Sequence, residues 1–195
     1  MHGSIVRTRI TVFLTAAFTA AGALIATAPP AAAMPASPAT TALVTCPLGT
    51  ETISYTPGLK LPALPPAPPN PSVSLSASGT LGTCVSLDLL HTSGTITFTG
   101  AGPLTCLGGN STGSGRVTWS NPGTTPSDFT FSGGVSVRPN GVTVLVLSGT
   151  VTAGDFTGAA VVNTIVLAST DLTACLTPAG LTTSSGPITL TLVSP

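Results

Sequence analysis

From Val73 to Val193 the chain keeps returning to one two-residue pattern, an apolar side chain followed by Ser or Thr. It is plain in Ile96 and Phe98, in Val117 and Trp119, and in Ile188, Leu190 and Leu192. A period of two places alternate residues on opposite faces of a β-strand, so each such segment has one apolar face and one coated with hydroxyls. The stretch from Asp128 to Ala168 holds three of these strands. Phe129 and Phe131 lead into Val135 and Val137, Arg138-Pro139-Asn140-Gly141 turns, Val142 to Thr152 runs back, and Phe156 to Ala168 returns. Pro pre-sets the second turn position and Gly accepts the positive φ that follows, as in a hairpin closed with a bulge. Links this short force antiparallel neighbours.

Further strands are expected at Thr50 to Thr56, where Pro57-Gly58 ends the run, and at Val73 to Leu87, Gly94 to Leu107, Gly115 to Ser120, Leu172 to Thr177 and Gly186 to Val193. After the first 33 residues no segment combines a cap, an apolar period near 3.6 and freedom from Gly and Pro, so helices are not expected. A Ser-Gly-x-apolar tetrad recurs, for example at Ser78-Gly79, Ser114-Gly115 and Ser148-Gly149. Glycine inside a strand marks a bend or a close approach, which lets a sheet coil until it closes. The expected fold is therefore all-β, an antiparallel up-and-down barrel of about eight strands, with a two-sheet β-sandwich as the alternative.

Residues 1–33 have the layout of a secretory signal, with Arg7 and Arg9, an apolar run from Ile10 to Ala28, and Ala31 and Ala33 placed for cleavage before Met34. Export is the expectation, with no integral membrane segment in the mature chain. Residues 34–45 read as a flexible lead-in, and 46–195 as one disulfide-bonded β domain. Within it a Pro-rich loop at 61–71 carries six prolines in eleven residues, which favours a stiff, extended surface segment.

Past residue 33 there are three basic residues, Lys60, Arg116 and Arg138, against five acidic ones, a formal charge of −2. That excludes a nucleic-acid partner, which needs a basic stripe, and electrostatic attachment to anionic lipid headgroups. With few charges of either sign, self-association is physically easy. All four cysteines, Cys46, Cys84, Cys106 and Cys175, lie in the part expected to be exported, and an even count in an oxidising compartment implies two disulfides. Three pairings are open to the sequence. The expected one joins Cys46 to Cys84, tying down the amino-terminal arm, and Cys106 to Cys175, tying an early strand to a late one. The spacing fits no metal motif and no cofactor is implied.

At Cys46-Pro47-Leu48-Gly49-Thr50-Glu51, Tyr55-Thr56-Pro57-Gly58-Leu59, Gly79-Thr80-Leu81-Gly82-Thr83-Cys84 and Gly115-Arg116-Val117-Thr118-Trp119 the chain resembles a group of small secreted actinobacterial proteins that have no assigned activity. The resemblance covers most of the chain from Cys46 onward. It implies export and an all-β domain, and brings no catalytic residues. Gly149-Thr150-Val151 with Gly154-Asp155-Phe156-Thr157-Gly158 is similar to barrels of the allene oxide cyclase and dirigent type, over a stretch too short to carry function.

An enzyme would need a site, and the polar inventory offers little. His91 is the sole imidazole after residue 33, three residues beyond Asp88, with Ser86 or Ser93 as the nearest candidate nucleophiles. No Gly-x-Ser-x-Gly elbow surrounds a serine, and a His in a polar link is expected to be exposed. Asp88, Asp128, Asp155 and Asp171 would have to pair for glycosidase chemistry, and nothing in the sequence brings two together. No catalytic residue is assigned. Most of Tyr55, Phe98, Trp119, Phe129, Phe131 and Phe156 fall on apolar faces, where core packing is the expected role. The leading expectation is a secreted, non-enzymatic β domain that works by surface contact or self-association in the extracellular or envelope space. One alternative is a carrier holding a small apolar ligand in the barrel, lined by an inward set such as Val142, Val144 and Val146. The other is a barrel enzyme of unknown reaction.

Overall fold

The period-two segments pair with their chain neighbours around a closed sheet. The computed structural model describes residues 40–64, 70–137, 143–167 and 173–194. The expected signal segment, the Pro-rich run at 65–69, the Arg138–Gly141 turn, Val142 and Asp171 lie outside the described residues. The strands are β1 (Ala42–Cys46), β2 (Leu48–Leu59), β3 (Val73–Gly82), β4 (Val85–Ser86), β5 (Gly94–Gly102), β6 (Leu104–Thr105), β7 (Gly108–Gly109), β8 (Thr112–Trp119), β9 (Ser127–Val137), β10 (Thr143–Ala153), β11 (Ala160–Leu167) and β12 (Leu181–Val193).

Eight of them, β2, β3, β5, β8, β9, β10, β11 and β12, each pair antiparallel with the next, and β12 returns to β2, so the wall is an up-and-down barrel. Beyond Pro47, β1 continues the line of β2 along β12, and β4 pairs with the far edge of β1, so these two short strands extend one end of the barrel. The hairpin β6–β7 stands apart at the other end. Each end carries one disulfide, Cys46–Cys84 at the first and Cys106–Cys175 at the second, in the expected pairing.

Several local expectations are corrected. Strand β1, Ala42–Cys46, takes in the last four residues of the expected lead-in. Strand β2 runs through Pro57-Gly58, because Pro57 falls where pairing with β3 has ended at Thr56 and the register with β12 shifts, so its missing N–H costs no ladder bond there. The run Val73 to Leu87 divides at Thr83, whose φ is +53°, and Gly94 to Leu107 divides at Pro103. Within Leu172 to Thr177, the described part is a 3₁₀ turn at Ala174–Leu176 with Cys175 buried against the core. An alternation that short cannot separate strand from turn, and the bond to Cys106 fixes Cys175 inward.

The described inward residues of the long strands pack together in the barrel interior. Ile53, Ile96, Phe129, Leu147, Ile165, Ile188 and Leu190 are among its largest fully buried side chains. Two of the sequence's strand glycines make this packing possible. A Cβ at Gly113 would collide with the ring of Phe131, its direct cross-strand partner, and a Cβ at Gly115 with the ring of Phe129. The phenyl rings occupy the space that the glycines leave, so the aromatic alternation of β9 and the glycines of β8 are one packing unit. On β10 it is Leu145 and Leu147 that point inward; Val144 and Val146 lie half-buried on the outer wall. The strand is apolar on both faces, and periodicity cannot choose between faces in such a run.

Outward positions of β2, β3, β5 and β8 are almost all Ser or Thr in register, as in Thr52 opposite Ser78 and Ser78 opposite Thr97. One ion pair interrupts this wall, where the guanidinium of exposed Arg116 on β8 grips both carboxylate oxygens of Asp128 on β9. That pair holds the Asp128 carboxyl below its ordinary range. The depressions of the wall are shallow; one of about 590 Å³ is lined by residues such as Ser54, Thr56, Ser76 and Ser114.

Candidate functional site

The link from β3 to β5 closes one end of the barrel, and it contains the densest polar cluster of the described chain. Its start is fixed by Cys84, bonded to Cys46 and donating its backbone N–H to Thr92 O at 2.8 Å. Val85 and Ser86 then pair with β1, and Leu87 N–H reaches Leu43 O. The alternation continues off the sheet: Ser86 and His91 turn inward, while Val85, Leu87, Leu89 and Leu90 turn out.

His91, expected to be exposed, is only 3% exposed. Its Nε2 lies 2.9 Å from Asp155 Oδ2 and its Nδ1 2.7 Å from Asp88 Oδ2, the latter off the line of a straight hydrogen bond. The ring meets Trp119 edge-on at 4.8 Å and Phe156 at 4.4 Å between centroids. Asp155 also accepts the Thr125 N–H at 2.7 Å, and its carbonyl accepts the Ser127 hydroxyl, to which Trp119 Nε1 donates. Asp88 accepts the Ser86 hydroxyl at 2.7 Å and the Leu90 N–H at 3.0 Å. Burial works to raise the Asp88 carboxyl. The bonds from His91, Ser86 and Leu90 overcome it and hold the group well below the usual carboxylate range.

The fold thus brings His91 together with Asp88 and Asp155, two acids far apart in the chain, while Asp128 stands apart on the wall. It does not assemble a nucleophile. Ser86 Oγ donates to Asp88 and accepts the backbone N–H of His91, and the Ser93 hydroxyl makes no bond to the ring. Both imidazole nitrogens face carboxylates, so the ring is held between Asp88 and Asp155. The cluster instead pins the loop: His91 is a wedge driven into the barrel end, and the carboxylates hold it from both sides.

What the wedge leaves outside is apolar. Val85 is 69% exposed, Leu87 71% and Leu89 79%, with Leu90 beside them and Leu48 nearby at the start of β2. Leu89 has φ +60°, a left-handed conformation that suits glycine far better than leucine. A backbone turned against its preference, carrying a leucine into solvent, is the kind of outlier found at functional positions.

A second polar feature lies inside the barrel. Glu51 is 2% exposed on β2, and Asn163, on β11, has no exposed surface. Neither carboxylate oxygen nor either amide atom has hydrogen-bond geometry with a protein group. Burial raises the Glu51 carboxyl to about 7, against a smaller opposing effect of the Asn163 amide. Tyr55, two positions beyond Ile53 on the same face, hydrogen-bonds Ser184 at 3.0 Å. The signal was present in the sequence, since Glu51 shares its parity with Ile53 and Tyr55, and Asn163 with Val161 and Ile165.

Compared with known protein families, curated proteins and solved structures, the chain matches none. Among the described residues no helix is long and apolar enough to cross a membrane.

Proposed function

We propose that this chain is a secreted, non-enzymatic β-barrel that works by surface contact in the extracellular or envelope space. The observation that carries the reading is the pinned loop 85–90, whose leucines are held outward by a disulfide at one stem and a buried His91 at the other. Apolar side chains that protrude from a rigid support are the usual form of a contact surface. The two disulfides are in keeping with an oxidising compartment. The signal-like segment at 1–33 supports export.

The carrier and enzyme alternatives have less in their favour. The described interior is packed with large aliphatic and aromatic side chains, and its unpartnered groups, Glu51 and Asn163, ask for a polar guest such as water, not an apolar ligand. The test is fractionation of cells expressing the full chain, with native mass spectrometry of the product recovered without reductant. The expected result is a chain of residues 34–195, four hydrogens lighter than its reduced form. It should carry no small molecule, and part of it should stay with the envelope fraction. A product that is not exported, or one that retains a small apolar molecule, contradicts the reading.

A further inference from the structure

We infer that the loop 85–90 is a lipid-docking tip, which seats Val85, Leu87, Leu89 and Leu90 in the interface of an uncharged or zwitterionic bilayer. The inference rests on the contact reading and names its partner. Three observations lead to it.

The first is shape. The leucines are carried into solvent on a turn, where Leu89 N–H closes back on Ser86 O. A protein partner would need a matching recess, whereas a fluid interface moulds itself to protruding side chains. The second is rigidity. Both stems are anchored, at Cys84 through Cys46 and at His91 through Asp88 and Asp155, so the leucines cannot fold back onto the barrel. Ordering costs on docking are therefore small.

The third is charge. The ionisable groups of the segment, Asp88 and His91, are engaged with each other, and the described cations are elsewhere. Lys60 follows β2 at the opposite end, and Arg116 is neutralised by Asp128 on the wall. Attraction to anionic headgroups has no source here, so insertion of apolar surface must supply the affinity. Exposed Thr83 and Thr92 flank the loop in sequence, and their hydroxyls suit a headgroup layer.

The test is flotation of the purified, oxidised chain with phosphatidylcholine vesicles, and with vesicles also containing phosphatidylglycerol, at low and high salt. The expected result is binding to phosphatidylcholine that salt and the anionic lipid do not strengthen. The double variant Leu87→Ser/Leu89→Ser should bind roughly a hundredfold more weakly, about tenfold per leucine withdrawn from the interface. Both residues are exposed, and an unchanged melting temperature and disulfide mass will show that the variant is folded. No binding to either vesicle, binding that needs anionic lipid, or an unaffected double variant each overturns the proposal. So does a concentration-dependent dimer that the double variant abolishes in the absence of vesicle binding. If vesicles fail while the chain is exported free of any small molecule, the lipid partner falls and the contact reading stands; if the exported chain carries an apolar molecule, both fall.

Discussion

The two ends of the barrel are closed by different physics. At the His91 end the Cys46–Cys84 bond joins residues 38 apart, and around it lie an imidazole between two carboxylates, two aromatic rings and a chain of side-chain hydrogen bonds. At the opposite end Cys106–Cys175 joins residues 69 apart and sits among backbone contacts such as Cys106 N–H to Lys60 O. Backbone strain divides the same way. Among the described residues the non-glycine positions with left-handed φ are Thr83, Leu89 and Phe156, all at the His91 end, which also has Gly154 and Gly158, whereas the other end uses only glycines, Gly108, Gly109 and Gly180. Both ends expose leucines, including Leu107 and Leu176 at the second, but only one end locks them with a polar network. The lesson is that exposure alone does not mark a contact surface; exposure on a strained, pinned support does.

This contrast can be broken in order of effect. Replacing Cys106 and Cys175 by Ser should cost about 4 kcal/mol, because the bond closes a long loop in the unfolded chain. Urea unfolding should show this loss at every pH, since no titrating group takes part.

The interior between the ends should respond to pH in the opposite sense to an ordinary acid. The Glu51 carboxyl is raised from 4.5 to about 7 by burial, so the folded state binds its proton more tightly than the unfolded state. Stability is then fullest below pH 4.5, declines as pH rises to about 7, and levels off above. The span is about 3 kcal/mol. Glu51→Gln should flatten that limb and leave the variant the more stable at pH 8, as read from unfolding midpoints across pH.

At the His91 end the sign reverses. Asp88 is depressed, so its contribution is present above its ordinary value of 3.8 and is lost as pH falls through the folded value. The fluorescence of Trp119, the single tryptophan, should report this loosening in acid. His91→Asn should cost about 2 kcal/mol, less than a fully buried pair would because both carboxylates are about a third exposed. The smallest effect is a gain. Leu89→Gly relieves the left-handed backbone and should stabilise the fold by up to about 1 kcal/mol in thermal unfolding, while removing one docking leucine.

Much of the fold was legible because its signals are local. The alternation in Ile96 and Phe98 or in Ile188, Leu190 and Leu192 names a face within a few residues, and short links between such runs leave an up-and-down order. The pairing of Cys46 with Cys84 and Cys106 with Cys175 followed the same strand order. The His91 cluster was not legible, because Asp155 lies 64 residues from His91 and only barrel closure brings the two together. Val144 and Val146 were misplaced because a strand apolar on both sides has no readable parity. Glu51 is readable by parity, since it shares the face of Ile53 and Tyr55, although an acid is ordinarily placed in solvent.

Hydrogen exchange along the oxidised chain, with and without phosphatidylcholine vesicles, tests most directly that the pinned end makes the contact. The account predicts that vesicles slow exchange at residues 85–90 and leave the segments around Leu107 and Leu176, and the hydroxyl wall, unchanged. Protection appearing at the Cys106–Cys175 end, or spread over the wall, would contradict it.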